Sequence, residues 1–128
     1  MVRENSIKFK TLVLGASNKP GRFSYLAIKS LVKNNVPVYA IGARNGLVDG
    51  IEIQTSKESI EDIHTVTLYL NPSNQAPYID YIIGLNPKRI IFNPGTENPT
   101  LLSKARENNI EVVFDCTLVM LNNGSYFR

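Results

Sequence analysis

The sequence has little cysteine, little histidine and no tryptophan, and long hydrophobic runs are missing from it. Its one cysteine excludes a disulfide framework within the chain, and no Ser–His–Asp set, metal-binding cluster or Cys-x-x-Cys motif is present. No apolar run approaches the roughly 18 residues that would span a bilayer. The first residues also lack the apolar stretch of a signal peptide. Together these absences predict a soluble, cytoplasmic protein that needs neither a metal nor a disulfide.

The charge balance is mildly basic, with 14 Lys and Arg against 11 Asp and Glu. No basic run or arginine-rich helix concentrates these cations, which argues against nucleic acid as a partner. A small anionic ligand needs only a few cations at one place, and we favour that interpretation. The length of 128 residues fits one domain. We expect residues 1–9 to form an N-terminal leader on the surface, and residues 10–128 to form the single domain.

Short apolar runs alternate with segments of helical period along most of the chain. This pattern predicts an α/β fold of three layers, a doubly wound, Rossmann-like arrangement with a mainly parallel sheet of about five strands. The strands are predicted at 11–14, 38–41, 65–70, 89–92 and 111–114, with a minor edge strand or excursion at 48–53. Helices are predicted at 24–34, briefly after Ser56, from Pro77, at 100–108 and as a last turn at 117–121, before a polar exit.

The first predicted strand ends at Gly15, and a polar turn and a helix follow. This order is typical of the first unit of a nucleotide-binding fold, in which the helix N-terminus offers free N–H groups to a phosphate. Ser17 and Ser24 add hydroxyl groups, and Lys19 and Arg22 add positive charge. The loop therefore suits a pyrophosphate. Because the full G-x-G-x-x-G fingerprint is absent, a glycine that serves only the turn remains the alternative.

The end of the second predicted strand carries Arg44 where a strand of an NAD-binding unit carries Asp or Glu. The nearest carboxylate downstream, Asp49, comes several residues too late. An arginine would attract a phosphate on the adenosine ribose, which a carboxylate would repel. Coenzyme A and NADP are the two common cofactors with such a phosphate, and this argument leaves both open.

The first loop, Gly15-Ala-Ser17 with Arg22 and Ser24 downstream, resembles that of the small stand-alone CoA-binding proteins. Their Rossmann domain is similar to the N-terminal domain of the succinyl-CoA synthetase α subunit. The resemblance covers about residues 11–121. Its other landmarks are Leu70-Asn-Pro72, Asn93-Pro-Gly-Thr-Glu-Asn98 and Asp115-Cys116.

The resemblance implies that coenzyme A or an acyl-CoA is the ligand, and it assigns three groups of binding residues. Gly15, Ala16, Ser17, Arg22 and Ser24 would hold the pyrophosphate, Ile41 and Arg44 would flank the adenosine and its 3′-phosphate, and Leu70, Asn71 and Pro72 would line the path of the adenine or pantetheine.

Two positions depart from the family pattern. Members often have Asn-Pro-Lys or Asn-Pro-Arg after the second strand, where this chain has Gly42-Ala-Arg44. Many have Asp-Arg-Cys after the fifth strand, where Cys116 here directly follows Asp115. The cation after the second strand is therefore kept, whereas the cysteine thiol would point elsewhere.

No catalytic constellation can be assembled from the remaining residues. His64 precedes a predicted strand instead of following one, and Cys116 is either a reactive thiol or ordinary packing. We therefore predict a CoA-binding module without catalysis of its own. The alternatives are an NADP-dependent oxidoreductase or redox-sensing domain, and an interaction subunit without a ligand. A partner protein or a homodimer stays open.

Overall fold

The computed structural model describes residues 5–128, which form three layers around one sheet. The sheet has seven strands in the order β3-β4-β2-β1-β5-β6-β7. Every neighbouring pair is parallel except β3 and β4. The strands are β1 (Thr11–Ala16), β2 (Val38–Gly42), β3 (Gly46–Val48), β4 (Ile51–Gln54), β5 (Thr65–Leu68), β6 (Arg89–Phe92) and β7 (Glu111–Phe114).

The five predicted parallel strands are all present, but the predicted count of about five is wrong. The additional strands come from a hairpin of β3 and β4 at one edge of the sheet. Its turn has Asp49 at φ 47° and Gly50 at φ 82°, the left-handed conformations that a tight two-residue hairpin turn requires. The sequence indicated the turn and one minor strand. The partner strand of three residues is too short to show an alternating pattern of its own.

Five helices cover the two faces of the sheet. They are α1 (Phe23–Lys33), α2 (Pro72–Gln75), α3 (Ile79–Gly84), α4 (Pro99–Glu107) and α5 (Thr117–Asn123). Helix α1 contacts α5, and α3 contacts α4. One core cluster includes Val13 and Ile28, whereas Leu12 and Leu14 belong to the other cluster with Ile82. Alternate residues of β1 therefore pack into separate cores on opposite faces of the sheet.

Two of the helix predictions were wrong. No helix forms between β4 and β5, where the hydroxyl of Ser56 donates a hydrogen bond to the carboxylate of Glu58 instead of capping a helical turn. The helical segment after β5 begins at Pro72 and not at Pro77. The side chain of Asn71 accepts a hydrogen bond from the amide of Asn74 at 2.9 Å, so Asn71 is the N-cap and Pro72 the first helical residue.

The segments near both described ends of the chain pack at the amino ends of the central strands. The predicted leader lies partly outside the described residues, but within it Ser6–Phe9 forms a 3-10 turn in which Phe9 is buried. The predicted polar exit likewise ends in a 3-10 turn, Ser125–Phe127, with Tyr126 fully buried. The hydroxyls of Tyr126 and Thr11 lie 2.5 Å apart. The surface position expected for the leader therefore does not hold at Phe9.

Arg89, at the start of β6, contacts the residues packed at the amino ends of the strands. Its guanidinium lies 4.4 Å from the ring centre of Tyr126, and Nη1 donates to the Tyr126 carbonyl at 3.0 Å. Its Nε donates to the hydroxyl of Thr65 at 2.9 Å. The cation is buried without an ion pair among residues 5–128, and the aromatic ring and the oxygen acceptors stabilise it instead.

None of the helices in the described part of the chain has both the length and the apolar character to cross a membrane.

Candidate functional site

A cavity of about 650 Å³ lies at the carboxyl ends of β1, β2, β5 and β6. The chain proceeds from β1 to β2 on one side and returns to β5 on the other, so the cavity lies at the switch in strand order where α/β sheets bind ligands. Its lining comes from four loops: Gly15–Lys19 with Arg22–Ser24, Ala43–Asn45, Tyr69–Asn71 and Pro94–Thr96.

Glycines allow the first two of these loops to approach their neighbours closely. Gly15 has φ +94°, and a Cβ there would lie 2.9 Å from the carbonyl carbon of Tyr69. A Cβ on Gly42 would lie 2.2 Å from the carbonyl oxygen of Ala16. Gly15 therefore has a packing role in the structure, and it also lines the cavity.

The start of α1 presents free hydrogen-bond donors beside the first loop. The amides of Phe23, Ser24 and Tyr25 have no acceptor among residues 5–128, and Arg22 provides no side-chain cap. The Ser24 side chain is buried but lines the cavity, and its hydroxyl forms no hydrogen bond with a described residue. This end of an eleven-residue helix also carries the positive end of the helix dipole. The arrangement suits an anion.

Three exposed cations, Lys19, Arg22 and Arg44, also line the cavity. None of them forms an ion pair with a residue that the structure describes. Asp49, the first carboxylate after Arg44, is instead bound to Lys29 at 2.9 Å. The charges of the three cavity cations are therefore not neutralised by any residue from 5 to 128.

A buried amide joins the two loops on the opposite side of the cavity. The side chain of Gln75 is fully buried, and its Nε2 donates to the carbonyls of Leu70 and Thr96, both at 2.7 Å. Its Oε1 accepts from Asn98 at 3.0 Å, and the Asn98 carboxamide oxygen in turn caps α4. The positions of the loops after β5 and β6 are thereby fixed relative to one another.

Most of the predicted site residues come together at this cavity. Those that line it are Gly15, Ala16, Ser17, Arg22, Ser24, Arg44, Leu70 and Asn71. Ile41 does not line it, since its side chain is 1% exposed and packs in the same core as Leu12 and Leu14. Pro72 does not line it either and is exposed at the start of α2. As ligand contacts, all of these residues stay predictions.

The cavity also includes residues that the sequence analysis did not assign. Phe23 is 69% exposed and lies at the first position of α1. Tyr69 is half-buried near the hydroxyls of Thr67 and Thr117, and burial raises the pKa of its phenol to about 12. Asn18, Asn45 and the segment Pro94–Thr96 complete the lining. Their loops were expected at the site from the sequence, but none of these residues was given a binding role.

His64 and Cys116 both lie outside the cavity lining. His64 precedes β5, at the amino ends of the strands and so away from the cavity, and its Nδ1 lies 2.8 Å from the hydroxyl of Thr65. Partial burial, with the positive charges of Arg89 and Lys88 nearby, lowers the pKa of His64 to about 4. Cys116 is half-buried at the N-cap of α5. Among residues 5–128, no group of His, Cys, Asp and Glu could hold a metal ion.

Residues 10–122 match the model of a protein family described as the CoA binding domain. No curated protein matches the chain. The crystal structure of an uncharacterized protein is 46% identical, with a TM-score of 0.88, and the match covers 91% of this chain and 96% of that chain. A hypothetical protein from Pyrococcus horikoshii is 26% identical, with a TM-score of 0.82 and coverages of 90% and 82%. A Thermus thermophilus protein at 20% identity and a TM-score of 0.75, with coverages of 95% and 93%, shares the fold.

Proposed function

The chain belongs to the CoA binding domain family, and from this premise we propose that it binds coenzyme A or an acyl-CoA in the cavity, without catalysis of its own. The observation that carries the proposal is a set of three cations, without an ion pair among the described residues, beside an N-terminus of α1 whose amides have no described acceptor. Coenzyme A has a pyrophosphate and a ribose 3′-phosphate, and such a ligand would neutralise all three cations.

The pyrophosphate is assigned to the first loop. There the free amides at the start of α1 and the hydroxyl of Ser24 supply hydrogen-bond donors, and Lys19 and Arg22 supply the charge. Hydrogen bonds from charged donors to phosphate oxygens are about twice as strong as those between neutral groups. The loop therefore supplies both geometry and charge for the anion.

The ribose 3′-phosphate is assigned to Arg44. This residue lies in the loop after β2, next to the first loop across the sheet, and its side chain is exposed and unpaired. Leu70 and Asn71, in the loop after β5, would line the remainder of the ligand.

The non-catalytic part of the proposal is supported by the positions of the two most reactive side-chain types. His64 lies at the amino ends of the strands, away from the cavity, and Cys116 does not line the cavity. Incubation of the protein with acetyl-CoA, followed by a colorimetric thiol assay, tests this point. We expect no release of free thiol above the rate in buffer, and an enzyme-dependent release would contradict the proposal.

Calorimetric titration with CoA, 3′-dephospho-CoA, NADP and NAD tests the ligand. We expect CoA to bind most tightly and dephospho-CoA more weakly, because it lacks the phosphate assigned to Arg44. NADP shares a ribose phosphate, and tighter binding of NADP than of CoA would favour the oxidoreductase alternative. If none of the four binds, the proposal is wrong.

A further inference from the structure

The charged groups of the cavity are all on one side of it. We define the cationic half as the lining from residues 17–24 and 43–45, and the neutral half as the lining from residues 69–71 and 94–96. The cationic half contains Lys19, Arg22 and Arg44, and the neutral half has no charged lining residue. Glu97 lies beside the neutral half and bonds to the amide of Gly95 at 3.0 Å, which adds a negative charge there.

The polar groups of the neutral half are also largely occupied by hydrogen bonds within the protein. The carbonyls of Leu70 and Thr96 both accept from Gln75. The hydroxyl of Thr96 donates to the carbonyl of Asn93 at 2.7 Å, and the Asn71 side-chain oxygen accepts from the amide of Asn74. The unpaired donors of the cationic half contrast with this, since the Ser24 hydroxyl and the first amides of α1 have no partner among residues 5–128.

From this asymmetry we propose that the site recognises 3′-phosphorylated adenosine 5′-phosphates as a class, and that the pantetheine arm and any acyl group contribute little to affinity. The inference rests on the proposed function and specifies which part of the ligand contributes most to the binding affinity. A phosphate that meets an unpaired cation gains a charge-assisted hydrogen bond, typically worth a tenfold affinity or more. The arm amides, by contrast, would exchange bonds to water for a wall whose acceptors are already engaged.

The two halves of coenzyme A, separated at the pyrophosphate, provide the test. Adenosine 3′,5′-bisphosphate and 4′-phosphopantetheine each keep one of the two bridging phosphates, so their comparison isolates the nucleotide from the arm. By calorimetry, we expect the bisphosphate to bind more tightly than phosphopantetheine by about tenfold or more. A smaller difference, or the reverse order, would overturn the inference. CoA, acetyl-CoA and octanoyl-CoA should bind with dissociation constants within about threefold of one another, and a larger spread would also overturn it.

Variants connect this preference to the cationic half. Arg22→Ala should weaken CoA and the bisphosphate by the same factor, about tenfold or more, because both lose the same contact. Arg106→Ala is the matched control: Arg106 is exposed on α4, lines no part of the cavity and makes no described ion pair, so both affinities should stay unchanged. A loss for CoA alone in Arg22→Ala would contradict the inference.

These outcomes separate the inference from the proposed function. If CoA binds but phosphopantetheine is preferred to the bisphosphate, CoA binding stands and only the assignment of affinity to the nucleotide fails. If CoA itself does not bind, the proposed function fails and the inference fails with it.

Discussion

Single residues at the cavity differ in whether they serve the ligand or the fold, and Arg44 is assigned to the ligand. It is exposed and forms no ion pair within the described part of the chain, so Arg44→Ala should change the free energy of unfolding by no more than about 0.5 kcal/mol. Loss of one charge-assisted contact should weaken CoA binding by roughly 1.5–3 kcal/mol, about ten- to a hundredfold. Dephospho-CoA affinity should hardly change, and calorimetry at two salt concentrations should show the difference between the ligands narrow as salt rises.

Gly15 is assigned to the fold as well as to the site. Gly15→Ala should destabilise the protein by roughly 1–3 kcal/mol, because the residue has φ +94° and the added Cβ would meet the backbone of Tyr69. Gly21→Ala is the matched control in the same loop, since a Cβ there has nothing within 4 Å. Urea denaturation of both variants measures the effect. Equal free energies of unfolding for the two variants would show that an alanine at position 15 fits without strain.

His64 should make stability depend on pH. Its pKa is lowered to about 4 in the folded protein, against 6.5 for the unfolded chain, so the unfolded state binds more protons between these values. The free energy of unfolding should therefore fall as the pH drops from about 6.5 to 4, and this contribution should be fully lost below pH 4. His64→Gln should flatten that part of the curve in denaturant titrations. An unchanged slope would exclude His64 as its source.

At the scale of elements, the helical segment α2 acts as a connector between loops. Gln75→Leu would leave the carbonyls of Leu70 and Thr96 without their donor, and each buried acceptor left unsatisfied should cost about 1–3 kcal/mol. Asn74→Ala, at the exposed neighbouring position, should have little effect because only the backbone of Asn74 takes part in the cap. Thermal denaturation compares them. An unaffected Gln75→Leu would show that the connection is not needed.

The elements also show what the sequence could and could not predict. The strands Arg89–Phe92 and Glu111–Phe114 were located to the residue from their short apolar runs, although only the first of them is fully buried. The hairpin partner Gly46–Val48 was missed, since three residues carry no periodicity. Ser56 suggested a helix cap, but a local hydrogen bond to Glu58 competes with that role. Ile41 was placed beside the ligand by the family resemblance, yet the alternation of side chains along its strand directs it into the core.

At the scale of the whole molecule, the cavity lies at the carboxyl ends of the strands, and the buried cluster of Phe9, Arg89 and Tyr126 lies at their amino ends. Deletion of residues 125–128 would remove Tyr126, which is fully buried, and the carbonyl that Arg89 binds. We expect a loss of at least about 3 kcal/mol in the free energy of unfolding, comparable to truncation of a buried aromatic residue. Deletion of the exposed Arg128 alone is the control. Below the unfolding temperature, CoA affinity should be unchanged, and a loss of affinity in the folded variant would contradict this separation.

The packing of Phe9 against Tyr126 and Phe127 has a consequence for the order in which the chain could be connected. The rings of Phe9 and Phe127 are 5.4 Å apart, so the segments near the two described ends pack against each other. We therefore expect that a linker between the two described ends, with a new opening at the exposed Asp49-Gly50 turn, would give a circular permutant with the same seven-stranded sheet. Such a permutant would carry its new termini at the hairpin edge while the cations of the cavity stay in place.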